Sequence, residues 1–447
     1  MYRKRNSKIK TSVIKYKNTY KKSILAFLGL YVLVIVLSNP VYGKNIHNDN
    51  CVIKMTSPAT GADSVTDGND IGAGAENMEV EEEVIEEPQK IVIVIDPGHG
   101  GDNLGAIYDD YTEKDLNLKT ALAMEEELNK YEGIEVYLTR HDDQELSLEE
   151  RVQYAKKLDA DFFFCLHYNS SELHKLYGAE CWISAFGRYY ANGKDFSTIE
   201  MNLLSELGLY DRGIKVRFNS RGTDYYGIIR NATKMGIPSA LIEHCHLDNE
   251  QDANYMDTET WPKLYGKTDA TAVAKYFGLK SDELGVDYGL EGFMATPNPE
   301  NKVRPDETGP ILSSAEVTEI NETDGYIMLK LTARDEESRI LYYVLSFDGG
   351  KTYNEYYPWN REKENESVTD GSYPMNTPTD ETVMVKIPLA REKACILRAI
   401  IINQYGGKIE SEILFERKRK FVKQDKIFHN YDLPGLDEIL YEKSLIH

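Results

Sequence analysis

The chain is expected to fold as an α/β domain, a mainly parallel sheet flanked by helices, followed by an all-β sandwich of immunoglobulin-like or fibronectin-like type. Two textures in the sequence predict this. Between Lys90 and Leu279, continuous β-branched or aromatic runs alternate with stretches of helical periodicity, the pattern of strands buried on both faces and wrapped by helices. Beyond Pro310, short apolar runs are separated by turn residues without intervening helical patterns, as in a sandwich.

The first strand is Ile91-Val92-Ile93-Val94-Ile95, bounded by Asp96-Pro97-Gly98. A helix should follow, opened by Thr112 with Asp115 three residues on, a capping-box spacing. Its apolar positions Leu118, Ala121, Met124 and Leu128 recur at helical intervals. Val136 to Thr139 reads as a strand. Ser147 and Glu150 cap a second helix with Leu148, Val152, Ala155 and Leu158 on one face. Phe162 to Leu166 and Ala240 to Ile242 read as further buried strands, and Ala272 to Phe277 as a last helix. In the second half, Ile327 to Leu331, Ile340 to Leu345, Val383 to Ile387 and Ile396 to Ile402 are strand-like. Asp348-Gly349-Gly350 marks a hairpin between Tyr342–Leu345 and Thr352-Tyr353.

The flanking segments differ from both. Arg3, Lys4, Arg5, Lys8, Lys10, Lys15, Lys17, Lys21 and Lys22 precede an apolar run from Ile24 to Leu37. That order keeps the basic flank cytoplasmic while the rest crosses the membrane. The run is shorter than the ~20 residues of a comfortable span, and Val41-Tyr42-Gly43 offers small residues for cleavage. A cleaved export signal and an uncleaved membrane anchor both fit. The expected organisation is therefore an export signal or anchor over 1–43, a disordered acidic linker over 44–89, and the α/β domain over 90–279. A linker over 280–310, the β-sandwich over 311–417 and a C-terminal tail over 418–447 complete it.

Lys and Arg total 52 against 74 Asp and Glu, a net charge of −22. Such a balance argues against nucleic-acid binding, which needs a positive surface. The five cysteines, at 51, 165, 181, 245 and 395, form no CxxC pair, so neither a disulfide scaffold nor a thiolate zinc site is expected.

Functional groups in an open α/β sheet collect outside the carboxyl ends of its strands. His99 stands there, in Asp96-Pro97-Gly98-His99-Gly100-Gly101. His167 follows Leu166, Glu243 follows Leu241-Ile242, and Glu113 opens the helix after the glycine-rich loop. Two imidazoles and one carboxylate suit zinc, with a fourth position left for water or substrate. A second carboxylate must then move protons, and Glu243 is the candidate for that base and acid.

These blocks resemble the zinc-dependent N-acetylmuramoyl-L-alanine amidases of the amidase-3 type over residues 90–279. The resemblance rests on Ile95–Gly101, Thr112–Leu118, Leu138-Thr139-Arg140, Leu146-Ser147-Leu148 with Arg151-Val152, and Ala160–Ser170. It continues through Arg212-Gly213-Ile214-Lys215 and Pro238–Glu243, all in order. It implies one catalytic Zn2+ held by His99, Glu113 and His167, with Glu243 catalytic. It further implies hydrolysis of the amide between N-acetylmuramoyl and L-alanine in peptidoglycan by an extracytoplasmic cell-wall hydrolase or autolysin. A wall-binding protein without turnover and a zinc carboxypeptidase are the competing readings.

The chain departs from the family after the catalytic glutamate, in Glu243-His244-Cys245-His246-Leu247-Asp248-Asn249. Strand alternation would put Cys245 on the face of Glu243 and Cys165 on that of His167; packing is the default role for both thiols. His244 and His246 read as hydrogen-bonded scaffold, and Arg140 and Arg151 as partners in ion pairs. Asp248, Glu250 and Asp252 read as a solvated acidic loop, and Tyr353 to Trp359 as strand and loop of the sandwich.

Overall fold

The structure is a computed structural model that describes residues 90–290, 292, 294–353, 355–359, 380–388 and 394–418. The expected export segment, acidic linker, Cys51 and the tail from 419 onward lie outside the described residues. Among the described residues no helix is long and apolar enough to cross a membrane.

In chain order the first half contains β1 (Ile91–Pro97), β2 (Ile107–Tyr108), β3 (Tyr111–Thr112), α1 (Glu113–Leu128), β4 (Ile134–Leu138), α2 (Leu148–Lys157) and β5 (Phe162–Asn169). It continues with β6 (Ala179–Ile183), α3 (Gly187–Glu206), β7 (Asp211–Lys215), α4 (Gly227–Met235), β8 (Ser239–His246), α5 (Thr260–Phe277), β9 (Lys280–Ser281) and β10 (Val286–Asp287). Six strands form one sheet in the order β4-β1-β5-β8-β6-β7. All pairings are parallel except β6 with β8, so the sheet is mixed rather than wholly parallel.

Strand alternation sorts the core into two layers. Ile93, Ile95, Phe162, Phe164, Leu166 and Ile242 pack with Leu116, Met124, Phe196, Leu204 and Tyr265 from α1, α3 and α5. Val94, Phe163, Cys165 and Leu241 pack with Val152, Ala155, Ile228 and Ala232 from α2 and α4. Phe162, Phe163 and Phe164 are each fully buried, and each such burial stabilises by ~1.5–3 kcal/mol. That double-faced burial is why the strand reads as an unbroken apolar run.

The second half is all β among the described residues: β11 (Ile311–Asn321), β12 (Tyr326–Arg334), β13 (Ile340–Ser346), β14 (Tyr356–Pro358), β15 (Glu381–Pro388), β16 (Cys395–Asn403), β17 (Lys408–Glu410) and β18 (Phe415–Arg417). One sheet runs β11-β12-β15, and the other β14-β13-β16-β17 with β18 also on β16. Ile327, Leu329, Leu331 and Ala333 alternate into a core shared with Leu397, Ala399 and Ile401. β13 is buried at every position. Its Leu341, Tyr342 and Val344 pack with Ile402 against Tyr177 and Tyr210 of the α/β portion.

Several local expectations change. Thr112 occupies the N-cap of α1 but its side chain makes no capping bond, whereas Ser147 and Glu150 form the full capping box. Leu148 is half exposed rather than part of the buried face. The partner of β13 is Tyr356–Pro358, not Thr352-Tyr353, because Asp348 accepts from the backbone N–H groups of Lys351 and Thr352 and widens the turn. The last helix begins at Thr260, well before Ala272.

Candidate metal centre

The loop after β1 is shaped by what lies beside it. A Cβ on Gly98 would stand 2.3 Å from His167 Cε1, so only glycine lets the two strands' carboxyl ends approach this closely. His99 itself has φ of 63°, a left-handed conformation rare for a residue with a side chain. The loop carbonyls are clamped from below. Arg140 donates to those of Pro97 and Gly98, and Arg151 to those of Pro97 and His99. Arg151 also pairs with buried Asp96 at 2.8 Å. The ion-pair expectation therefore holds for Arg151, while Arg140 acts on backbone carbonyls.

Three donor atoms converge above this loop. Glu113 Oε1 lies 3.1 Å from His99 Nε2 and 2.9 Å from His167 Nδ1, and the ligand-competent atoms of these three residues fall within 4.8 Å of one another. The two imidazoles meet edge to face, ring centres 4.9 Å apart. Asn103 Oδ1 accepts from His99 Nδ1 at 2.8 Å, so Nε2 is the ring nitrogen turned toward Glu113 and the centre. Glu113 is fixed by the backbone N–H groups of Ala106 and Tyr168 on its two oxygens.

Electrostatics follow from this packing. Burial pushes the Glu113 carboxyl upward, but hydrogen bonds and charge from His167 and His99 outweigh it and hold it well below the usual range. For His99, burial works downward while Glu113 and Asn103 bring the net value up. A charge-dense set of two imidazoles and one buried carboxylate, with a positioned partner on His99, matches what a zinc site requires of its donors and their neighbours.

Glu243 lies beside His167 in the β5–β8 register and opposite Glu180 across β6–β8. Its side chain is buried, and Oε2 has no hydrogen-bond partner. Burial, with the charges of Glu113 and Glu180, raises its carboxyl well above the usual range, against an opposing pull from Arg212. A carboxylate of raised proton affinity without a fixed partner is suited to exchanging protons.

The thiols do not join this cluster. β5 advances from His167 to Asn169 while β8 advances from Glu243 to His246. This bulge gives β8 one extra residue and turns Cys245 into the opposite core layer from Glu243. Alternation across Glu243–Cys245 is thereby broken. Cys165 keeps the expected parity, but its thiol donates to Asp96 at 3.2 Å. The four described cysteines are all buried and unbridged. His244 bonds the His167 carbonyl and lies 3.0 Å from Asp269, and His246 bonds the Gly178 carbonyl, both as scaffold.

Of the acidic run after β8, only Glu250 is exposed as a solvated loop would have it. Asp248 and Asp252 are buried; the first accepts from Ser171 N and the second from Gly178 N and His246 N. Their charge is used on loop backbone that would otherwise lack partners. Trp359 is buried in the β core, as the strand reading expected. Sequence reasoning missed Asn103 and Glu180. Asn103 carries a weak signal, four residues after His99; a lone glutamate in a strand carried none.

The chain matches the N-acetylmuramoyl-L-alanine amidase family over residues 93–275. It is 32% identical over 192 residues to the sporulation-specific N-acetylmuramoyl-L-alanine amidase of Bacillus subtilis (strain 168), covering 42% of this chain and 69% of that protein. It is 30% identical over 194 residues to the N-acetylmuramoyl-L-alanine amidase CwlM of Bacillus licheniformis, 43% of this chain and 71% of that one. Among solved structures, the catalytic domain of CwlV, an N-acetylmuramoyl-L-alanine amidase from Bacillus (Paenibacillus) polymyxa var. colistinus, aligns at 31% identity. That match covers 42% of this chain and 99% of the other, with a TM-score of 0.37.

Proposed function

The chain belongs to the N-acetylmuramoyl-L-alanine amidase family, and from that premise we propose that His99, Glu113 and His167 hold one zinc ion while Glu243 moves the protons of the reaction. The activity is that of the family, cleavage of the amide between N-acetylmuramoyl and L-alanine in peptidoglycan. The observation that carries the site assignment is the convergence of one ligand atom each from His99, Glu113 and His167 within 4.8 Å of one another.

A zinc ion held by His99, Glu113 and His167 would supply Lewis acidity toward a carbonyl and would lower the pKa of a water to about 7. The chain's own residues supply the remainder. Asn103 fixes the tautomer of His99, and Glu113 is held by two backbone N–H groups, so the donors need little rearrangement. Glu243 takes the proton of the attacking water and returns it to the departing alanine nitrogen. Its raised proton affinity keeps the two transfers close in energy.

The remaining assignments are part of the same proposal. Residues 1–43 serve as export signal or anchor, which places the enzyme outside the cytoplasm. Residues 44–89 are a spacer, 90–279 the catalytic domain, 280–310 a link, 311–417 an immunoglobulin-like or fibronectin-like sandwich and 418–447 a tail. The test is to incubate the full chain with muropeptides and follow products by mass spectrometry. Free stem peptide with an L-alanine amino terminus is expected, and it should vanish on chelation and in Glu243→Ala. Intact muropeptides with zinc-loaded wild-type protein would favour a wall-binding protein without turnover.

A further inference from the structure

Resting on the role assigned to Glu243, we propose that Tyr342, carried by the β-rich half, is a positioning residue for the amidase reaction: it fixes Arg212 on Glu180 and so builds the polar wall beside Glu243. Tyr342 is buried. Its hydroxyl accepts from Arg212 Nη1 at 2.7 Å and donates to the Tyr177 carbonyl at 3.0 Å. Arg212 Nε donates to Glu180 Oε2 at 2.9 Å, and Lys215 Nζ donates to the same oxygen at 2.6 Å. Glu180 Oε1 accepts from Asn169 and Trp182, each at 3.0 Å. Every lobe of Glu180 is thus held, and it stands opposite Glu243 in the antiparallel β6–β8 pair.

Two carboxylates side by side repel unless one is compensated. Here Arg212 and Lys215 compensate Glu180 and leave Oε2 of Glu243 unpartnered. Arg212 is a long side chain with many rotamers, and the acceptor that holds its far end comes from the other half of the chain. Without the Tyr342 hydroxyl, Arg212 Nη1 is buried with a donor unmet, which favours withdrawal of the guanidinium from Glu180. The second half of the molecule is then part of the catalytic unit rather than a spacer.

The same junction contains bonds that do not reach Glu180. Tyr210 donates to the Leu341 carbonyl, Arg339 pairs with Asp211 at 3.0 Å, Gln404 donates to the Ile214 carbonyl at 2.8 Å, and Val216 N donates to the Tyr405 hydroxyl at 3.2 Å. Tyr405→Phe therefore removes one hydroxyl from the same junction and serves as the control for Tyr342→Phe.

The experiment measures kcat, KM and Tm of the zinc-loaded full chain on a muropeptide. Tyr342→Phe should lower kcat about tenfold through misplacement of the wall, with KM within about twofold and a Tm loss larger than that of Tyr405→Phe because a buried charged donor is left unmet; Tyr405→Phe should keep wild-type kcat. In a double-mutant cycle, Tyr342→Phe on top of Arg212→Lys should add nothing further. The positioning role is overturned if Tyr342→Phe turns over as the wild type does, if Tyr405→Phe loses kcat equally, or if the two substitutions are additive. An inactive wild type would overturn the functional reading and this inference together, whereas an active wild type with an unaltered Tyr342→Phe overturns this inference alone.

Discussion

Gly98 and His167 meet so closely that a Cβ on the glycine would overlap the imidazole, 2.3 Å from Cε1 and 2.4 Å from Nε2. The glycine is not needed for a left-handed backbone, since Gly98 is not among the residues with positive φ. It is needed for space.

Gly98→Ala should therefore injure the metal centre more than the fold. The added methyl must push the His167 ring away from Glu113 or spread β1 from β5, a strain of about 1–3 kcal/mol for an overpacked site. Displacement of a ligand by about 1 Å costs on the order of 100-fold in rate. Zinc stoichiometry measured by elemental analysis should fall well below one per chain while the far-ultraviolet circular dichroism stays unchanged. Full zinc loading with wild-type turnover would refute this account of the glycine.

Asn103→Ala tests the partner of His99. The Asn103 side chain lies at the surface and holds His99 Nδ1 at 2.8 Å. Its loss frees the ring to change tautomer or rotate, and such partners are worth about 10–100-fold in metal affinity. Competition with a chromogenic chelator should show that weakening, with Tm of the metal-free protein shifted little. Equal zinc affinity in both proteins would remove Asn103 from the site.

The parts of this architecture that could be read in advance are those where one residue type has one cheap explanation. Ile91–Ile95 and Phe162–Leu166 are apolar at every position because helices cover both faces. His99, His167 and Glu243 could be placed because each follows such a run. β6 and β7 escaped because their burial depends on each other. Glu180 looks like a surface residue until Arg212 and Lys215 arrive from the neighbouring strand. The bulge that separates Cys245 from Glu243 has no local mark either, since it arises from how β8 pairs with β5. Asp248 and Asp252 were misread for the same reason: their partners are backbone N–H groups of distant loops.

Glu200 provides a stability test away from the metal. It is fully buried on α3, and burial, with the adjacent charge of Asp269, raises its carboxyl well above the usual range. The folded chain therefore holds a proton that the unfolded chain releases near pH 4. The stabilisation is complete below the unfolded value and is lost as pH rises through the higher folded value. Glu200→Gln has no such proton to lose. Thermal unfolding of the metal-free protein should show wild-type stability declining relative to Glu200→Gln with rising pH, by up to about 1.4 kcal/mol per pH unit. Parallel curves would show that Glu200 does not titrate in this way.

Glu243→Gln separates proton transfer from metal binding. The substitution keeps the size of the side chain and leaves His99, Glu113 and His167 untouched, so zinc stoichiometry should remain that of the wild type. The wild-type base works only when ionised. Burial and the nearby Glu113 and Glu180 charges raise its proton affinity, so kcat/KM should fall tenfold per pH unit below a limb lying above the ordinary carboxylate range. Glu243→Gln should lower kcat by about 100- to 10,000-fold and abolish that limb, leaving a residual rate with a flatter acid side. A residual rate that keeps the wild-type limb would assign the titrating base to another group. Loss of zinc together with rate would instead make Glu243 part of the metal-binding set, and the division of labour between the three converging donors and their acidic neighbour would have to be redrawn.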